Sequence, residues 1–403
     1  MITTTKVVNQ ESPELLRTEI DSRIVKIRPM STPVDQISRH ASSRRAGSMT
    51  VEYYAVDSKP VETELAASVG AETARDGRPV PMEVEVVDAT PFCETETVMF
   101  VGADIDSSPV TGYITDISGK TINGYYTCVN AQGLSACPAI PKGAKVVRMG
   151  RAARELDVQT TQFITIPRKE KNFCQIFKAQ VEQSTIVKLS NKEVGWTFSD
   201  QEEAAIIDMR MGMERTFLFG NRARLEIPGS DDVMFTGGIW QQAGKEGTFD
   251  IAAGTDADFV KICRQAFTGA NGSSRKILIA GSGLIEGLHR IMPRTYADTH
   301  SKFHRWGLDF TEMVTKFGTL YVIMSETFDE CGHANDGLII DPEYLTKYSH
   351  IPFNSEKLDL RSSGQRNSDA IVITEASCLV LRYPQSHMRV IGTTNAVQSE
   401  LSD

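Results

Sequence analysis

An α+β protein carrying a separate all-β segment is expected from three features of this 403-residue chain. The first is an alternating strand beginning at Asn172, in which apolar Phe177, Ala179 and Val181 are set against polar Lys178, Gln180 and Glu182. The second is the helix that follows, expected over residues 199–219, with Ser199 and Glu202 as a capping box and Gly220 just past its end. At about 1.5 Å per residue it is a rod of about 30 Å. The third is a run of short strands over residues 83–167, separated by Gly, Pro and Asn-Gly signals. A ribbon feeding one long rod is a natural way to build a tile and an unusual way to build an enzyme core.

Residues 1–48 contain Pro13, Pro29 and Pro33, end in SSRRAGS, and offer no amphipathic helix of useful length. Such an arm is stable only where it lies along something else. Residues 50–57 follow as a strand with Val51, Tyr53 and Ala55 on one face, and residues 58–82 have the composition of a mobile loop. The strands MEVEVV, ETVMFVG, GYITDI, TINGYYTCV and AKVVRMG form a small barrel or sandwich, with Asn123-Gly124 as a hairpin turn. This β region sits between 50–57 and 172–189, which are expected to pair as a long ribbon. Beyond the rod lie a Gly-rich stretch (230–249) and a helix capped by Thr255 and Asp258, with Phe259, Ile262, Cys263, Ala266 and Phe267 on one face. Next come the strand KILIA (276–280), a helix near 283–291, and buried strands at 320–324 and 337–345 with a turn at Asp341-Pro342. Two closing strands break at Pro384.

Composition is ordinary for a soluble protein, 40% hydrophobic and 24% charged, and no apolar run is long enough to cross a bilayer. The N-terminal residues lack the basic-then-apolar layout of a signal peptide. Seven cysteines without a CxxC pair read as free thiols of a reducing cytoplasm. The net charge of −9 is uneven: residues 1–45 hold eight Lys/Arg against five acids, a surplus of three that leaves −12 on the remainder. An acidic body argues against sequence-specific nucleic-acid binding, and the basic arm suits docking on an acidic neighbour.

Candidate reaction centres are thin. Gly281, Gly283 and Gly287 follow a strand and open a helix, which invites comparison with the dinucleotide fingerprint. Their spacing is one residue too long, and no second strand ends in an acid about twenty residues on; a tight strand-to-helix turn accounts for them. His300 and His304 are weak metal candidates at helical spacing, with Cys331 and His333 downstream, but no Glu stands between them for hydrolysis. GxSxG, Walker A and HExxH motifs are absent. Trp196, Trp240 and Trp306 lie in different segments and suit packing or interface anchors. Neither a cofactor nor a catalytic residue is assigned.

The order of segments resembles the major capsid proteins of tailed bacteriophages with the Hong Kong 97 fold, in the subgroup with a domain inserted in the extended loop. ELLRTEIDSRIVKIRPMSTPVDQI looks like the N-terminal arm, and TVEYYAVD with NFCQIFKAQVEQSTIV like the two sides of the extended loop. SDQEEAAIIDMRMGMERTFLFGN looks like the spine helix, FGTLYVIMSETFDECGHANDGLIIDPEYL like the axial domain's return, and ITEASCLVLRYPQSHMRVIG like the closing strands with a turn from Tyr383 to His387. The resemblance implies an arm (1–48), an extended-loop ribbon (49–82 and 168–190), an inserted β domain (83–167), a peripheral domain (191–235 and 337–403) and an axial domain (236–336). It implies a non-enzymatic shell protein that forms hexamers and pentamers of an icosahedral head around double-stranded DNA. Assembly would take place in the host bacterial cytoplasm, with portal, scaffolding and decoration proteins as partners and no membrane. A long helical pro-segment before the arm is missing, so the scaffold is expected to be a separate protein or none. Arg23, Lys26, Arg28, Tyr53, Phe177 and Trp240 are the expected assembly contacts. An encapsulin-like compartment shell shares the fold and stays open as an alternative, as does a nucleotide-binding enzyme using Gly281–Gly287.

Overall fold

The computed structural model describes residues 32–55, 61–74, 78–155, 168–190, 197–269, 272–295, 302–305, 308–362, 364 and 366–393. The chain begins there with α1 (Pro33–His40), β1 (Ser42–Arg45) and β2 (Thr50–Ala55). Then follow β3 (Glu62–Glu64), β4 (Glu72–Thr73), β5 (Pro81–Glu85), β6 (Glu96–Ile105), β7 (Ser108–Ser118), β8 (Thr121–Tyr126), β9 (Ala136–Cys137) and β10 (Lys145–Arg151). β11 (Arg168–Phe173) and β12 (Gln175–Ser184) lead into the short α2 (Thr185–Leu189) and the long α3 (Phe198–Phe219). The chain continues through β13 (Ala223–Leu225), β14 (Val233–Phe235), α4 (Ile239–Gln242), β15 (Lys245–Asp250), α5 (Asp256–Phe267), β16 (Arg275–Ala280) and α6 (Ser282–Thr295). β17 (Lys302–Arg305), β18 (Leu308–Val314), β19 (Thr319–Met324), α7 (Glu326–Glu330), β20 (Gly337–Ile340), β21 (Leu345–Asp359), β22 (Ser368–Leu381), a 3-10 turn (Pro384–Ser386) and β23 (Met388–Thr393) complete it.

Two compact units result, one of Met1–Ala55 with Lys169–Asp403 and one of Val56–Arg168. In the first, a seven-stranded sheet runs β15-β23-β20-β16-β19-β18-β17 and a four-stranded sheet runs β1-β21-β22-β12. Strand alternation sorts the first sheet's side chains between two cores. Ile277 and Ile279 enter a cluster with Met213, Phe217, Ile371 and Leu379, whereas Leu278 and Ala280 face Phe259, Ile262 and Leu284 of α5 and α6. The expected break at 336/337 therefore falls inside a sheet: β20 and β23 pair with β16 and β15 and do not group with β21 and β22.

The spine helix α3 has 22 residues, about 33 Å of rod. Its cap lies two residues earlier than expected: Thr197 accepts from the Asp200 N–H, and Asp200 returns the bond to the Thr197 N–H at 2.8 Å. Gly220 ends it in extended rather than left-handed backbone (φ −56°). Glycine is required there because a Cβ would lie 2.5 Å from the Thr216 carbonyl oxygen and 2.6 Å from that of Thr236. Met209, Met213 and Phe217 form a buried stripe at four-residue spacing, and Phe177 meets Phe217 edge-on at 5.7 Å. A Met211→Pro change removes a helical hydrogen bond and drives its ring into the Ile207 carbonyl, at about 3 kcal/mol or more before the stripe one turn on is displaced. Loss of helical circular dichroism and of soluble protein is the expected result.

Strand β12 corrects the ribbon. Among the described residues β2 pairs with β11 alone, while Gln175–Ser184 lies antiparallel along β22, Gln175 opposite Ser377 and Ser184 opposite Ser368. The arm is also corrected from Thr32 onward. Pro33–His40 is a helix with Val34 and Ile37 fully buried, and Ser42–Arg45, inside the supposedly flexible SSRRAGS, pairs parallel with β21. Eight residues give too few turns to stand out from sequence; burial against α3 stabilises the helix.

The second unit is a β-barrel. Its six-stranded antiparallel sheet runs β3-β10-β6-β7-β8-β5, and its two edges meet through Ala66 N–H to Glu85 O (2.8 Å) and Val87 N–H to Glu64 O (2.9 Å). Closure removes the free edges that a small sheet would otherwise expose. Leu65, Val80, Met82, Phe100, Ile114, Ile122 and Val146 fill the interior. Residues 61–74 and 78–82 are thus not a loop: they supply a wall of the barrel and part of its core, so this unit begins well before residue 83. Asn123-Gly124 is not a turn either. The β7–β8 hairpin turns at Gly119-Lys120, where Gly119 has φ +63°, and Gly124 is a strand residue.

Candidate functional site

Three features of the described residues stand out as surfaces and joints: a buried latch that holds the arm, the root of the ribbon, and an exposed apolar surface. The latch is built on α3. The Glu214 carboxylate, fully buried, accepts from the Val34 N–H (2.8 Å) and the Asp35 N–H (2.7 Å), satisfying two donors at the start of α1. Around it Asp35 pairs with Arg39 and with Arg210 (2.9 Å), and Lys347 reaches Asp35 at 3.6 Å and Glu375 at 2.8 Å. Burial, together with the Asp35 charge, pushes the Glu214 carboxyl up to about 8, against the downward pull of the two N–H donors and Arg39. None of these acids was singled out from sequence. The available signal was Glu214 itself, a charged residue on the stripe of Met209, Met213 and Phe217.

The ribbon root lies where the chain leaves β11 for β12. Buried Asn172 donates to the Gly237 (3.1 Å) and Leu379 (2.8 Å) carbonyls and accepts from the Gly237 (2.8 Å) and Phe173 (2.9 Å) N–H groups. That uses all four of its hydrogen-bonding positions. Tyr53 is half-buried here, against the cluster of Val51, Cys174, Cys378 and Val380, and burial beside Glu170 pushes its phenol up to about 12.

The exposed apolar surface is on α2. Ile186 is 74% and Leu189 78% exposed, yet the helix is held in place: Thr185 Oγ1 donates to Asn367 Oδ1 (2.8 Å) and Lys188 pairs with Asp369 (2.6 Å). Phe353 and Leu358 on β21 are also exposed.

Phe177 belongs to the subunit core, which removes it as an intersubunit anchor. Trp240 is partly buried against Phe219 (5.7 Å), Phe328 (6.0 Å) and His333 (5.2 Å). Arg23, Lys26, Arg28, His300, Trp196 and Trp306 lie outside the described residues, and His304 falls in β17. Among the described residues no cluster of three His, Cys, Asp or Glu could hold a metal. No helix among them is long and apolar enough to cross a membrane.

At the start of α6 the backbone donors that a phosphate would use are engaged. Gly281 donates to Asp336 O (3.0 Å), Ser282 to Asp329 Oδ1 (2.9 Å) and Gly283 to Ala334 O (2.9 Å). A Cβ on Gly283 would meet Asn335 Oδ1 at 2.2 Å. These glycines let the Ala334–Asn335 backbone approach, as a tight strand-to-helix turn requires. The Tyr383–His387 turn is equally closed: Lys276 Nζ donates to Ser386 O (2.6 Å), Ser386 to Asp341 (2.9 Å), and the Asp341 N–H to His387 Nδ1 (3.1 Å). Burial pulls His387 down to about 4 and Lys276 to about 8.

A sequence profile of the family described as SU10 major capsid protein matches residues 1–394. No curated protein matches the chain. Among solved structures, the capsid of the cyanophage P-SCSP1u is similar in fold, with a TM-score of 0.50 at 8% identity over 97% of this chain and 96% of that one. A structure of Mycobacterium phage Bobi gives 0.46 at 8% identity over 97% and 98%. The holo-SrpI encapsulin complex of Synechococcus elongatus gives 0.39 at 10% identity, covering 56% of this chain and 77% of that one. With nearly its whole length matched by one family and its fold similar to that of a phage capsid, the chain belongs to the SU10 major capsid protein family and is a tailed-bacteriophage major capsid protein of the Hong Kong 97 type.

Proposed function

We propose that copies of this chain assemble into hexamers and pentamers of an icosahedral head around double-stranded DNA, with no catalytic step of their own. The observation that carries this reading is the apolar row of α2, fixed by Thr185 and Lys188 while Ile186 and Leu189 stay in water. Rigid apolar surface of this kind is stabilised when another surface covers it, and for a shell protein the abundant surface is another copy. Two strand edges add to it: β12 and the distal part of β21 each lack a neighbour on one side among the described residues. The arm's Arg23, Lys26 and Arg28 dock on acidic surface of neighbours. The remainder, at −12, suits DNA held by confinement rather than by many phosphate contacts. Portal, scaffolding and decoration proteins are the further partners, and the virion assembled in the host cytoplasm is the location. The whole-length capsid family match favours a phage head over an encapsulin-like compartment, and the occupied donors at Gly281–Gly283 disfavour a nucleotide enzyme.

Expression with and without a scaffolding protein, followed by size exclusion and negative-stain microscopy, tests this. Megadalton shells are expected from the wild type, and an Ile186→Asp, Leu189→Asp double variant should keep its circular dichroism yet form none. A wild-type chain that stays monomeric under both conditions, or a double variant that assembles in undiminished yield, would overturn it.

A further inference from the structure

We propose that Cys174 and Cys378 form a dithiol site that a hydroperoxide converts to an intrachain disulfide, clamping the ribbon root to the four-stranded sheet. Residue 174 is where the strand changes partner. The Cys174 N–H donates towards β2, to Met49 O at 2.7 Å, and from Gln175 onward the chain is in register with β22, Gln175 opposite Ser377. One step back in that register sets Cys174 opposite Cys378. Because the Cys174 N–H points away from β22, the two form a non-hydrogen-bonded pair, the kind whose Cα atoms lie about 4.5 Å apart, within the span a disulfide bridges. The sulfurs are 3.7 Å apart, and both residues are fully buried against Val51 and Val380. Their shared thiol–thiol hydrogen bond draws Cys174 below the ordinary thiol range and lifts Cys378 well above it, which makes Cys174 the nucleophile.

The chemistry balances with a small oxidant suited to a buried site. The Cys174 thiolate attacks one oxygen of hydrogen peroxide, the O–O bond breaks, and the departing hydroxide takes up the thiol proton to leave as water. The resulting sulfenic acid then condenses with the Cys378 thiol: the S–S bond forms, the S–O bond breaks, and a second water leaves with the Cys378 proton. Overall two thiols are oxidised and one peroxide is reduced to two waters. The linked residues are 204 apart in sequence, a long loop whose closure restrains the unfolded chain. On the assembly reading above, the thiols stay reduced in the cytoplasm and close once the particle reaches an oxidising exterior.

The test needs no assembled shell. Purified wild-type protein is treated with hydrogen peroxide, denatured in iodoacetamide and mapped by mass spectrometry. A peptide joining Cys174 to Cys378 is expected, with the melting midpoint rising by about 5 °C and returning with dithiothreitol. Cys174→Ser and Cys378→Ser should lose both effects, and Cys263→Ser, altered at another buried thiol, should keep both. If Cys174 and Cys378 remain alkylatable after peroxide, if Cys174 proceeds to sulfinic acid, or if it joins another cysteine, the proposal fails; the peptide map decides this even where a serine variant does not fold.

Discussion

Replacing Glu214 with alanine should lower the unfolding free energy of the first unit by about 3–5 kcal/mol, on the order of 10 °C in melting temperature. The loss has two parts. The Val34 and Asp35 N–H groups, which Glu214 accepts at 2.8 and 2.7 Å, are left buried without a partner. The balance among Asp35, Arg39, Arg210, Lys347 and Glu375 also shifts once the acid they surround is gone. Protection from hydrogen exchange should fall first in Pro33–His40, because that helix is eight residues long and held by this contact. A distinct pH signature accompanies it. The native Glu214 carboxyl is raised from 4.5 to about 8, so the native state holds its proton more tightly than the unfolded chain does. This group's contribution to stability is therefore greatest below about pH 4.5 and falls as pH rises towards about 8. Glu214→Gln keeps one acceptor oxygen and has no proton to lose, so it should lack that slope, as melts of both proteins between pH 5 and 9 will show. Parallel curves would mean that Glu214 does not titrate in this window.

Gly124→Ala should cost the barrel about 3 kcal/mol or more. A Cβ built at Gly124 lies 1.9 Å from the Tyr113 carbonyl oxygen and 3.0 Å from Met82 Cε, so β7 and β8 have to part. The damage should stay in residues 56–168, since the two compact units have separate cores. Limited proteolysis is expected to cut the variant within the barrel while the first unit stays protected. Gly150→Ala, where nothing lies within 4 Å of the added methyl, is the neutral control. Uniform cleavage of both units would refute independent stability.

Elements set by local chemistry were legible. The helix at Asp256–Phe267 starts at Thr255 with the Asp258 box and buries Phe259, Ile262, Cys263 and Ala266, as spacing alone indicates. The strands at Arg275–Ala280 and Gly337–Ile340, and the break at Pro384, follow from the same rules. The misreadings share one cause, the dependence of a segment on a partner distant in sequence. Asn123-Gly124 has the best turn chemistry in the barrel, but Gly124 is needed for a close approach of Tyr113 that only the sheet creates. Residues 61–74 and 78–82 are polar enough to pass for a loop, and Leu65 counts as core only once β3 and β10 are paired.

Periodicity, capping boxes and segment order, all local in the chain, determined an α+β subunit with a spine helix, an all-β unit and a capsid-like plan. Pairing and burial decided the rest. β12 alternates equally well whether it extends the ribbon or lies along β22, and ten residues in register with β22 settle the choice. Likewise Glu214, Asn172 and the Cys174–Cys378 pair are unremarkable polar residues and thiols in the sequence. They acquire their roles because long-range closure removes them from water, where an unpaired polar group is costly and a neighbouring thiol is within reach.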